Sequence, residues 1–91
     1  MSIEATALTA LAARMSASEE APIAITVDAG GNGTLPGGHV AYKRTHPTWD
    51  DSPYVVHIWY LDPNGTVAYG NGSYDLTFED ALKVFKERAR I

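Results

Sequence analysis

The chain contains no cysteine, which removes disulfide bonds, thiolate metal sites and cysteine nucleophiles together and leaves packing as the source of stability. Positive charge is scarce over most of its length. Residues 1–75 carry eight acidic side chains against Arg14, Lys43 and Arg44, the other four bases lie within residues 83–90, and the net charge is −4. Phosphate contacts need clustered cations, so direct nucleic-acid binding is disfavoured and a protein partner with a basic surface is favoured. No apolar run approaches the roughly 20 residues of a membrane span, and no basic region leads into a long apolar core. A cytoplasmic protein without membrane association is expected. On that reading the Asn-Gly-Thr/Ser triplets at Asn32, Asn64 and Asn71 are turn chemistry rather than glycosylation acceptors. Repeats, linkers and low-complexity tracts are also missing, and 91 residues suffice for one domain, 1–91, around a single core.

What is present is most coherent between residues 54 and 90. Tyr54-Val-Val-His-Ile-Trp-Tyr-Leu61 is β-branched and aromatic almost throughout, and Asp62-Pro63-Asn64-Gly65 reverses the chain into Thr66-Val-Ala-Tyr69. Pro63 presets φ for the first corner of the turn, and Gly65 tolerates the left-handed backbone that lets the next strand pair. Gly70-Asn-Gly-Ser73 is expected to interrupt that fourth strand. Thr77 then caps a helix running to about Arg90, with Glu79 and Asp80 at its positive end and Lys86, Arg88 and Arg90 at its negative end. Phe78, Ala81, Leu82, Phe85 and Ala89 recur at spacings of three and four, forming an apolar stripe that must bury against the hairpin.

Earlier in the chain, Ser2 can cap a helix over residues 3–16 with Leu8, Leu11, Ala12 and Met15 on one side, and its alanines favour helix while offering little area to bury. Pro22 ends that helix, and Ile23-Ala-Ile-Thr-Val27 alternates as a strand with Ile23, Ile25 and Val27 inward. Residues 28–38 hold five of the eight glycines and predict a mobile hairpin loop that the fold could do without. The Gly31-Asn32-Gly33 run lacks the Gly-Lys-Ser/Thr ending of a phosphate loop, and no helix follows it. His39 to Arg44 predicts a second strand with Val40 and Tyr42 inward. Residues 45–53 form a polar loop carrying Trp49, Asp50 and Asp51. The third strand is apolar on both faces, with Tyr54, Val56, Ile58 and Tyr60 on one side and Val55, His57, Trp59 and Leu61 on the other, which places it inside a sheet or under a partner.

No catalytic or metal-binding set emerges. His39, His46 and His57 are separated by seven and eleven residues, without the close ligand pairs by which zinc sites announce themselves, so no metal and no cofactor is expected. Ser52 and Ser73 lack a nucleophile elbow, and Asp50-Asp51 in a polar loop reads as a solvated pair rather than an acid and base set apart by environment. A non-catalytic chain is expected. Aromatics are more informative: Trp49, Tyr54, Trp59, Tyr60, Tyr69 and Tyr74 exceed what one small sheet requires, and Trp and Tyr dominate interface hot spots, although cross-strand packing competes for each. The partner-binding candidates are Trp49, Asp50, Asp51, Tyr54, His57 and Trp59. The last two follow from the doubt that a short alanine-rich helix can cover the second face of the third strand.

The fold expected is α+β: an N-terminal helix, a four-stranded antiparallel β-meander, and a C-terminal amphipathic helix packed on the sheet. In size, acidity, lack of cysteine and closing hairpin-helix, such as Tyr74-Asp-Leu-Thr-Phe-Glu-Asp-Ala-Leu82, the chain resembles the small acidic proteins of phages and mobile elements, among them the anti-CRISPR inhibitors. That resemblance implies a non-catalytic inhibitor that binds a CRISPR effector complex and blocks target-DNA access or nuclease recruitment, acting in the host cell cytoplasm; it supplies no site residues. The alternatives are a homodimeric structural or regulatory subunit and, more distantly, a small metal-binding protein or enzyme using the histidines.

Overall fold

The computed structural model describes residues 2–91. Six elements follow in order: α1 (Ile3–Ala17), β1 (Ala21–Ile25), β2 (Gly37–Lys43), β3 (Tyr54–Leu61), β4 (Val67–Leu76) and α2 (Phe78–Ala89). The strands form one antiparallel sheet in the order β1-β2-β3-β4, and the architecture is the expected α+β meander with a helix at each end. Among the described residues no helix is long and apolar enough to cross a membrane.

The two helices lie on opposite faces of the sheet, because β2 and β3 are apolar on both. Ala7, Leu11 and Met15 of α1 pack with Val40, Tyr42, Val55, Trp59 and Val67; on the other face Ala81 and Phe85 of α2 pack with Ala41 and Val56. Removing each larger apolar side chain from water contributes about 1.5–3 kcal/mol, so the buried faces of β2 and β3 carry much of the stability. Both caps behave as the sequence predicts. Ser2 accepts a bond from the Ala5 amide at 3.1 Å, and Thr77 accepts one from the Asp80 amide at 3.2 Å. The 62–65 turn also forms, closed by the Gly65 amide donating to the Asp62 carbonyl at 2.9 Å with Gly65 at φ 82°.

Local expectations differ from the structure in several places. β1 starts earlier and carries a bulge between Pro22 and Ala24, which puts both Ile23 and Ala24 against the α2 core and leaves Ile25 exposed. A bulge adds one residue to one strand and breaks the period of two, so the strict inward alternation fails there. β4 is not interrupted at residues 70–73 but continues to Leu76 through register shifts, with Asn71 and Asp75 at positive φ. In α1 the buried ridge is Ala7-Leu11-Met15, and Ala12 is exposed. In α2 Phe78 is 47% exposed, its ring edge-on to Tyr54 at 5.4 Å rather than in the core.

Residues 28–38 form a nested, hydrogen-bonded hairpin. Gly31 and Thr34 exchange two backbone bonds of 2.9 Å around Asn32-Gly33, both at positive φ, the pattern that a two-residue type I′ turn requires. Asp28 and Gly37 exchange bonds of 2.7 and 3.0 Å further down. The glycines therefore continue the β1–β2 ladder.

Candidate functional site

The loop between β2 and β3 projects from one end of the sheet. Its neck is closed where the Arg44 amide donates to the Pro53 carbonyl at 2.9 Å, and its tip is turned by the Ser52 amide donating to the Trp49 carbonyl at 3.2 Å. Pro53 is buried at the base, whereas Trp49 stands 60% exposed with Asp50 and Asp51 exposed beside it in sequence. Tyr54, at the start of β3, is half-buried against Phe78. Trp49, Asp50 and Asp51 thus share the loop tip, and Tyr54 starts the strand that follows.

His57 and Trp59 do not join it. Trp59 is fully buried under α1, its indole Nε1 donating to the Thr26 carbonyl at 3.1 Å, and His57 is 5% exposed. The expectation that these two residues face a partner is corrected: Trp59 packs under Leu11 and Met15 of α1, and His57 is enclosed by the rings of Tyr42, Tyr69 and Tyr74.

Beneath the C-terminal end of α1 lies a polar cleft of about 440 Å³ that the sequence did not reveal. Its wall is a group of aromatic rings on neighbouring strands: the His57 ring centroid is 5.8 Å from Tyr42 and 4.8 Å from Tyr69, stacked on both, and Tyr74 stands edge-on to it at 5.2 Å. Arg14 reaches over this wall from α1. Its guanidinium carbon lies 4.0 Å above the Tyr69 ring centre, and Nη1 donates to the Val67 carbonyl at 2.6 Å. The Tyr69 hydroxyl donates to Glu20 Oε1 at 3.0 Å. Arg44 and His46 stand at the rim.

Burial, reinforced by the Glu20 charge, pushes the Tyr42 and Tyr69 hydroxyls well above the usual tyrosine range, so both remain protonated donors. Burial lowers the His57 pKa, opposed in part by its bond to Gly70. Because the Gly70 carbonyl lies 3.3 Å from His57 Nδ1, that nitrogen carries the hydrogen, and Nε2 of the neutral ring is an acceptor. The cleft thus offers aromatic surface, two guanidinium groups, the Glu20 carboxylate and a neutral imidazole. Among the described residues no group of three His, Asp or Glu side chains is placed to hold a metal ion.

Sequence reading missed this cleft because its members come from α1, the α1–β1 connection and three strands, 49 residues separating Glu20 from Tyr69 and 53 separating Arg14 from Val67. The available signal was a lone arginine on an alanine-rich helix above a strand face of alternating aromatics. Comparison with known proteins finds no matching family model, no similar curated protein and no solved structure of significant likeness.

Proposed function

We propose that the chain is a non-catalytic protein-binding inhibitor of the anti-CRISPR type, whose contact surface centres on Trp49, Asp50 and Asp51. The observation that carries this reading is Trp49: a bulky indole held 60% exposed on a loop whose neck is hydrogen-bonded. An exposed tryptophan costs solubility and is the kind of anchor around which interfaces are built. Asp50 and Asp51 beside it give the surface a charge that complements a basic groove of the sort that normally holds nucleic acid. The partner is accordingly a CRISPR effector subunit, and binding blocks access of target DNA or recruitment of the nuclease.

The test is competition between the protein and target DNA for purified CRISPR effector complexes. Trp49→Ala should weaken binding by at least about 2 kcal/mol, and Asp50→Asn with Asp51→Asn should slow association and flatten its salt dependence. Effector complexes whose DNA binding is indifferent to saturating protein would remove the inhibitor reading.

The homodimeric alternative draws on a different observation. α2 leaves the far half of its sheet face open, where Tyr60 is 36% and Leu35 40% exposed around Ile58. Light scattering distinguishes the two: a dimer that Tyr60→Glu dissociates would support self-association, and a monomer would exclude it.

A further inference from the structure

The cleft under α1 takes no part in the contact proposed above, yet its charge and shape call for an occupant. It gathers Arg14 and Arg44, two of the three bases among residues 1–75, on a protein of net charge −4. Neither is held in a close ion pair. Among the described residues no carboxylate lies within 4.0 Å of Arg14, and Arg44 approaches Asp75 only at 3.9 Å on an accessible rim. Glu20, the carboxylate lining the cleft, accepts the Tyr69 hydroxyl rather than pairing directly with Arg14. The Arg14 Nε–H is also buried without an acceptor, the single side-chain polar atom so found among the described residues. A buried donor without a partner is destabilising, and such atoms in folded proteins call for a specific reason.

We propose that this cleft binds a small aromatic acid, a planar ring bearing a carboxylate or phosphate and, elsewhere on the ring system, an N–H or O–H donor. The acid group answers the guanidinium groups of Arg14 and Arg44, neither of which is held in a close ion pair, and charge-assisted bonds of that kind are the strong ones. The ring is met by Tyr74, the member of the aromatic group that is 53% exposed, standing edge-on to His57. The donor is met by His57: with Nδ1–H committed to Gly70, its Nε2 is an acceptor on a ring that lines the cleft. A volume of about 440 Å³ falls in the range of small-molecule sites. A cationic ligand fits worse, because Arg14 already occupies the Tyr69 face at 4.0 Å and would repel it.

The experiment is a two-dimensional amide NMR titration of the whole chain with 4-hydroxybenzoate, adenosine monophosphate, inorganic phosphate and, as the cationic control, benzamidine. Saturable binding of either aromatic acid, with shifts confined to residues 14–20, 42–46, 57 and 69–74, is the expected result; which of the two binds more tightly separates a carboxylate ligand from a phosphate one. Arg44→Gln and Tyr74→Ala, both at accessible positions, should each weaken that binding about tenfold while leaving the remaining amide resonances in place. The proposal is overturned if neither aromatic acid binds, if benzamidine binds more tightly than both, if phosphate alone binds as well as the nucleotide, or if both variants bind like the parent protein.

Discussion

The indole nitrogen of Trp59 donates to the carbonyl oxygen of Thr26 at 3.1 Å, tying the centre of β3 to the chain just beyond β1 across the width of β2. The same Thr26 receives the His39 amide on its hydroxyl at 2.9 Å and gives its own amide to the His39 carbonyl at 2.9 Å. Trp59 is thereby a structural bolt. Trp59→Phe keeps a ring in the core but leaves the Thr26 carbonyl short of a donor, and should destabilise by about 1–3 kcal/mol in urea unfolding. Unchanged stability would mean that the Thr26 carbonyl is satisfied another way.

Gly37 and Gly38 mark where the nested hairpin approaches the sheet too closely for a side chain. A Cβ on Gly37 would lie 2.7 Å from Tyr60 Cα, and one on Gly38 would lie 2.7 Å from the Thr26 carbonyl carbon. Both neighbours are backbone, which cannot swing aside. Gly37→Ala should therefore cost more stability than alanine at an exposed loop position, where effects stay within about 0.5 kcal/mol. For the same reason, replacing residues 30–37 by a four-residue turn is expected to damage the fold, contrary to the reading of this segment as dispensable. Thermal melts of both variants check the point.

Phe85 is 3% exposed among Ala41, Val56 and Ala81, with Ile23, Tyr54 and Leu76 around it. Phe85→Ala should cost about 3–5 kcal/mol, close to the whole stability of a small domain. A thermal midpoint that does not move would mean that α2 is not held by this contact. The corresponding change at Trp49, 60% exposed, should leave the midpoint in place.

Stability should fall at both ends of the pH scale. Burial lowers the pKa of His57, and burial with the nearby Arg88 charge lowers that of His39. In the unfolded chain both imidazoles take up protons near the ordinary 6.5, before the folded protein does. Stability is therefore full above that value and declines as the pH drops through it toward the lower folded values. Tyr42 and Tyr69 run the other way: their raised pKa makes stability full below the ordinary 10.0 and lost as the pH rises beyond it. Urea unfolding at pH 8 and pH 5 should show the acid-side loss, and His57→Phe should reduce it; an equal slope in that variant would assign the effect to other groups.

Local chemistry decided the elements that the sequence by itself determined. Pro63 and Gly65 specify a turn from within four residues, Thr77 caps α2 with its own hydroxyl, and the β-branched run 54–61 has few alternatives to an interior strand. Each depends on neighbours in the chain, so each could be read there. The coverage of the sheet was not local. An alanine-rich α1 looked too poor in area to shield Val55 and Trp59, but Ala7, Leu11 and Met15 pack against both and bury them fully. That packing moved Trp59 from surface to core, left His57 lining a cleft among tyrosines, and left Trp49 as the exposed indole. It also brought Arg14, Glu20, Tyr42, His57 and Tyr69 together, residues with no periodicity in common. Their meeting depends on how α1 crosses the strands, a relationship set by packing between distant segments.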